Sequence, residues 1–239
     1  MLTISSEASV GQLVREVPAR AKVFERFGID FCCGGKLPVA DACRTRRVDL
    51  QTVLDELQKC DASPLASGEL VDADAMTLTA LADHIEQTHH AYLRDELPRL
   101  DRMTEKVARV HGQHEPRLLQ VRDAFIALQA ELEPHMRKED TVLFPMIRQL
   151  EAATGLPEML GGSLSNPIRQ MEHEHDQAGE ALAIIRQATD DFAPPEWACN
   201  TYRAMLDGLE RLEFDMHQHV HKENNVLFPK AMQLEASRA

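Results

Sequence analysis

Eleven histidines are spread unevenly over 239 residues, and two stretches carry them in one pattern. His135-Met-Arg-Lys-Glu139-Asp-Thr-Val-Leu-Phe-Pro145 returns 84 positions later as His219-Val-His-Lys-Glu223-Asn-Asn-Val-Leu-Phe-Pro229. In each copy a histidine precedes a glutamate by four residues. On a helix both side chains then leave the same face, about one turn apart. A looser relation links His89-His90 with His173-Glu174-His175. A single His-x-x-x-Glu is ordinary on a helix surface; two at a constant offset, with partner histidines, point to metal. Four imidazoles and two carboxylates exceed what one tetrahedral zinc takes, and suit two metals bridged by the carboxylates. Nitrogen and carboxylate donors without thiolate favour iron or manganese.

Such a set needs four helices. Helical patterning covers about 75–110, 116–152, 167–189 and 195–235. The breaks between them, HGQHEP, TGLPEMLGGSLSNP and DDFAPP, carry Gly, Pro or both. Long helices joined by shorter breaks predict an up-down-up-down bundle. A pseudo-twofold between two hairpins would bring the polar groups to one interior point. Pro98 and Pro134 lie inside predicted helices, and each is expected to kink or end its helix. His217 and His221 are also four apart but point roughly 160° from the His219 face, so no second site is implied. His84, His111 and His114 read as solvated or capping residues.

Residues 1–62 form a different unit, with four of the five cysteines and no histidine. Apolar spacing predicts helices within 9–27 and 47–60, separated by a break at Gly34, Gly35 and Pro38. Residues 63–74, polar with Pro and Gly, read as a linker, and 75–239 as the bundle. The fold class is therefore all-α, a four-helix bundle preceded by a small helical domain. A formal charge of −13 argues against binding to nucleic acid or an anionic membrane. No apolar run reaches the ~18–20 residues of a membrane span, and the first residues lack a secretory pattern. Five cysteines, an odd and sparse set, suit reduced thiols in the cytoplasm.

HHAYLRDELPRL, HMRKEDTVLFPMI, MEHEHDQAGE and HVHKENNVLFPKA together resemble the hemerythrin-like di-iron domain. The preceding DFCCGGK resembles the short cysteine domain of the RIC (repair of iron centres) family, and the two likenesses cover nearly the whole chain in the family's order. The resemblance implies metal ligation by His90, His135, Glu139, His175, His219 and Glu223. It also implies two irons bridged by Glu139, Glu223 and an oxo or hydroxo group. His90 is preferred to His89 because it lies eight residues before the Pro of ELP; His89 and His173 then become outer or surface groups. Oxygen-carrying hemerythrins have a further helix-3 histidine where this chain has Gly179, which would leave the irons more open or less tightly held.

The function so implied is repair of iron–sulfur clusters damaged by nitrosative or oxidative stress, with the di-iron site as iron source and damaged iron–sulfur proteins as partners. The rival is nitric oxide or oxygen capture or sensing at the same centre, with reduction of nitric oxide or peroxide as the enzymatic variant. Glu131, one turn before His135, and Glu174, beside His175, are candidates for an iron or proton path. Cys32 and Cys33 are candidate redox or metal-transfer thiols, expected on a turn that exposes both sulfurs ahead of a helix that favours thiolate. Cys43, Cys60 and Cys199 read as structural. The sequence leaves dimerisation open.

Overall fold

The computed structural model describes residues 4–61, 71–155 and 163–238. Among these there is helix and no strand, only an isolated bridge between Ser9 and Pro38. The N-terminal unit holds α1 (Val10–Glu16), α2 (Ala21–Arg26), α3 (Val39–Arg46) and α4 (Leu50–Asp61). Ser9 caps α1 by accepting from the Gln12 amide at 3.2 Å, and Pro18 opens a 3-10 turn that divides the predicted 9–27 segment. Helix α3 was not predicted; it starts directly after Pro38, where the proline acts as a helix starter. Arg20 is buried and ties the unit together, donating to Leu13 O (3.0 Å) and to both Asp61 carboxylate oxygens (2.8 and 2.7 Å). Part of the linker expected at 63–74 and part of the break at 154–167 lie outside the described residues.

The bundle follows as α5 (Leu78–Ile85), α6 (Ala91–His111), α7 (Arg117–Lys138), α8 (Phe144–Ala152), α9 (Ser165–Ala188), α10 (Asn200–Lys222) and α11 (Phe228–Arg238). Short π-helical turns at Glu86–His90, Glu139–Leu143 and Glu223–Leu227 join α5 to α6, α7 to α8 and α10 to α11. Three of the four long rods are thus single helices with one widened turn, and α9 is uninterrupted. Neither Pro98 nor Pro134 ends its helix: α6 and α7 run through both. In two rods the widened turn falls just before Pro145 and Pro229, whereas in the first it lies upstream of Pro98, at Glu86–His90. A proline offers no N–H and crowds the carbonyl four residues back, and a turn wider by one residue relieves that crowding. Phe144 N–H and Phe228 N–H accordingly reach back to Glu139 O and Glu223 O.

Apolar residues form two clusters in the bundle. One contains Leu93, Leu97, Phe125, Met136, Leu182 and Val220; the other contains Leu81, Ile85, Phe144, Ile147, Met171 and Phe228. Along each rod the six candidate ligands fall between members of the two clusters, so a polar layer separates two apolar ones. A third cluster, around Phe24, Phe31, Val53 and Leu57, is the core of the N-terminal unit.

Glu25 of α2 is packed near Glu213 of α10, and its Oε1 is buried without a hydrogen-bond partner. Burial, and then the Glu213 charge, raise its pKa to about 7. A folded-state pKa above the unfolded one means that folding takes up a proton, so the stability this group contributes is full at low pH and is lost as pH rises through about 7. Glu25→Gln should therefore stabilise the protein at about pH 8, by about 2 kcal/mol after allowance for partial exposure. The gain should shrink toward zero near pH 4, as read by urea unfolding at both pH values. A gain independent of pH would show that the charge is not what matters.

Candidate metal centre

Six side chains from all four rods meet in the polar layer. His90, Glu139, His219 and Glu223 bring donor atoms within reach of one ion, and His135, Glu139, His175 and Glu223 within reach of another. The two glutamates belong to both groups. All six residues are buried, with Glu139 and Glu223 at 0% exposure. His90 Nε2 stands 3.3 Å from Glu139 Oε2 and 3.2 Å from His219 Nε2. Across the layer His135 Nε2 stands 3.2 Å from Glu139 Oε2 and 3.1 Å from His175 Nε2. Glu223 offers Oε2 to His175 Nε2 and Oε1 to His219 Nε2, both at 3.0 Å.

The outer nitrogens explain the orientation of the rings. His90 Nδ1 lies 2.7 Å from Asp140 Oδ1, His135 Nδ1 2.8 Å from Glu174 Oε2, and His175 Nδ1 2.9 Å from Asn224 Oδ1. Each of these outer atoms can only accept, so each Nδ1 donates and each Nε2 turns a lone pair inward. The acceptors are held in turn: Asp140 by Arg94, and Glu174 by Lys138 and by Gln170 at 2.8 Å.

Inward lone pairs 3.1–3.2 Å apart repel each other unless a cation lies between them. Both Glu139 oxygens and Glu223 Oε2 are buried with no hydrogen-bond partner, a costly arrangement for carboxylates unless they meet positive charge. Convergent imidazole lone pairs around two shared carboxylates fit a pair of divalent cations. When metal is not there, protons take its place. Burial would lower His90 and His135, but hydrogen bonds and charges from Asp140, Glu139 and Glu174 outweigh it and raise them to about 9 and about 10. Proton and metal thus compete for the same nitrogens.

His90, not His89, enters the cradle. His89 is buried rather than on the surface, with Nδ1 2.8 Å from Asp215 Oδ1 and Nε2 2.8 Å from Lys222 Nζ. Burial, then the Lys222 charge, push its pKa down to about 2; neutral His89 accepts from the ammonium and donates to Asp215. Its ring lies parallel to that of His219, 2° apart in plane and 5.3 Å between centroids. His219 Nδ1 is buried and has no partner, unlike its three counterparts. His173 is exposed.

Two expectations about neighbouring groups change. Glu131 is exposed and makes no hydrogen bond to the cradle, whereas Glu174 is buried at 8% exposure and is engaged by three partners. A position one turn before a ligand on a bundle helix is not automatically inside, and here buried Glu174 backs His135 from the interior while exposed Lys138 holds Glu174 from the surface. The second correction concerns the thiols. Cys32 is buried, joins the apolar cluster of the bundle, and does not display its sulfur; Cys33 is half-buried. The hydrogen bond with Cys33, burial and the Asp30 carboxylate push the Cys32 thiol well above its ordinary value, the reverse of thiolate stabilisation. Asp30 accepts from the amides of Cys32, Cys33 and Gly34 at 2.8–3.0 Å, which shapes the loop. His221 too is buried, 3.4 Å from Phe31 O, and His111 and His114 pack on Trp197.

Asp140, Asn224 and Lys222 were not read from the sequence as parts of the site. The repeat contained the signal: Asp140 and Asn224 each follow the glutamate shared by both donor groups, and Lys138 and Lys222 each precede it.

The geometry agrees with the chain's relatives. A model of the hemerythrin HHE cation-binding domain matches residues 81–231, and a domain family of unknown function, DUF542, matches residues 6–61. An iron-sulfur cluster repair protein YtfE of Escherichia coli O157:H7 is 35% identical over 93% of this chain and 96% of its own. Proteins of the same name from Dickeya chrysanthemi and Musicola paradisiaca are each 36% identical, over 95% and 96% of this chain and 97% and 98% of theirs.

The neighbouring histidines separate cleanly in a metal assay. His90→Ala should lower bound iron and alter its absorption spectrum, because the residue offers Nε2 to the cradle. His89→Ala should keep the iron content and shift the spectrum slightly through His219. Equal loss of iron from both variants would place His89 inside the donor set.

Proposed function

We propose that this chain, which belongs to the RIC (repair of iron centres) family, repairs iron–sulfur clusters damaged by nitrosative or oxidative stress by donating iron from a di-iron centre. One observation carries the reading: two four-residue donor groups share Glu139 and Glu223 at the centre of the bundle. That arrangement suits two irons per chain, with the glutamates bridging and two imidazoles on each. The recipients would be damaged iron–sulfur proteins of the cytoplasm, with nitric oxide or peroxide as the damaging agents. No described helix is long and apolar enough to cross a membrane.

Bound iron would supply both cargo and a redox-sensitive affinity. The protein's residues do the rest. Asp140, Glu174 and Asn224 keep the imidazoles of His90, His135 and His175 aimed inward, and the apolar clusters on both sides exclude water. His90 and His135 would hold iron through Nε2, and the flanking carboxylates favour protons on the same rings, so protons would compete with iron for these two donors. Gly179 stands one turn beyond His175 without a side chain, which keeps the donor set at six. Imidazole and carboxylate donors would hold ferrous iron less firmly than ferric, so the reduced form would be the donor form.

The test incubates reduced, iron-loaded protein anaerobically with an apo iron–sulfur enzyme, a cysteine desulfurase and cysteine. Activity of the acceptor should recover faster than with the Glu139→Ala, Glu223→Ala variant, and protein iron should fall in step. Recovery no better than with that variant, together with tight reversible binding of nitric oxide, would replace donation by gas capture.

A further inference from the structure

The π turn Glu223–Leu227 sets three consecutive side chains to three tasks. Glu223 sits in both donor groups. Asn224 Oδ1 accepts from His175 Nδ1 at 2.9 Å. Asn225 turns the other way, out of the bundle, and its Nδ2 donates to Phe31 O at 3.2 Å and to Cys32 O at 3.0 Å. It also lies 3.2 Å from His221 Nδ1, whose ring packs edge-on against Phe31. The cysteine loop of the N-terminal unit is therefore seated by a residue two positions from a shared carboxylate.

The contact is close from the loop side as well. A Cβ on Gly11 would fall 2.5 Å, and one on Gly35 2.4 Å, from Asn225 Oδ1. Gly11 N–H donates to Gly35 O at 2.9 Å, so the two glycines make one socket for the amide. Cys33 Sγ meanwhile lies 3.9 Å from where a Cβ on Gly179 would stand, one turn beyond His175. The loop thus touches both the turn that carries Glu223 and the helix that carries His175.

We propose that Asn225 is a positioning residue that links metal occupancy of the cradle to closure of the Cys32–Cys33 loop. A turn this short cannot move Glu223 and Asn224 without moving Asn225. An ion that draws Glu223 and His175 into place fixes the turn and holds the loop seated. Loss of the ion relaxes the turn, releases the Phe31 and Cys32 carbonyls, and frees the thiols. Linkage makes the effect reciprocal: a seated loop tightens metal binding by the same factor. The inference rests on the reading of the cradle as a metal site, but not on what becomes of the metal.

The test compares iodoacetamide labelling of the full chain with and without iron, read by mass spectrometry cysteine by cysteine, with iron content measured on the same samples. Exposed Cys199 serves as the internal control. In the parent protein, iron should slow labelling of Cys33 about tenfold, within the range usual for coupled sites, and leave Cys199 unchanged. Asn225→Ala should label Cys33 at the fast rate both without iron and at saturating iron. Gly35→Ala should act likewise from the loop side, so that a folding defect peculiar to one variant does not decide the matter. Full iron content with equal Cys33 rates in the two parent samples would overturn the linkage and leave the cradle intact. Failure to take up iron would overturn the cradle reading and the linkage with it, and retained iron dependence in both variants would remove Asn225 from its role.

Discussion

Two carboxylates at 0% exposure in the middle of a helical bundle are the constraint on which the structure turns. Apolar side chains on both sides leave Glu139 and Glu223 no water, and buried charge of one sign is tolerated only opposite charge of the other. Four imidazoles surround them with no positive charge of their own when neutral, so the compensation has to come from cations or protons. That requirement extends outward. Asp140 and Glu174, which orient two of the rings, are paired in turn with Arg94 and Lys138 near the surface. Negative and positive charge thus alternate from the centre to solvent.

The repeat is symmetric in its donors and asymmetric in what backs them. Asp140 and Asn224 occupy equivalent places, yet one supplies a carboxylate to His90 and the other an amide to His175. Glu174 and His89 each precede a cradle histidine. Glu174 accepts from His135, whereas His89 stacks on His219 and spends its hydrogen bonds on Asp215 and Lys222. A carboxylate partner makes an imidazole a stronger donor than an amide or none does. Each half of the cradle therefore holds one strongly backed histidine and one weakly backed one. Lys222 is lowered to about 8 by burial, even with Asp215 and Glu223 nearby, and it adds positive character on the His219 side alone.

How far the sequence carried follows from the same physics. The four rods and the paired His-x-x-x-Glu residues were legible, because helical period and a fixed offset act over long stretches. His90 ahead of His89 followed only from the family resemblance, since the offset of 84 pairs His89 with His173. The π turns were not, since a single widened turn leaves apolar spacing on either side almost unchanged. Pro98 and Pro134 end no helix, because surrounding packing can hold a helix together past the hydrogen bond a proline removes. The resemblance left His89 as an outer or surface group and gave no sign of Lys222, because only tertiary contacts reveal that each satisfies the other. Helix α3 was missed because Gly34, Gly35 and Pro38 announce a break without saying how soon a helix resumes.

The cysteine pair shows why residue type alone misplaces reactivity. Adjacent cysteines before two glycines suggest exposed thiolates, yet here Gly35 lets the backbone approach Asn225 closely and Gly34 lets it approach Asp30, while Cys32 is buried. Asp30 uses its carboxylate to gather three loop amides, and that negative charge beside Cys32 opposes ionisation further. The thiolate is the form that binds metal and attacks, so in the seated loop Cys32 is chemically quiet. Moving the loop away from the bundle would restore water to the sulfur and remove the burial that holds its proton. Burial and Asp30 oppose ionisation of Cys32 while the loop is seated, and Asn225, on the turn bearing Glu223, supplies two of the contacts that seat it.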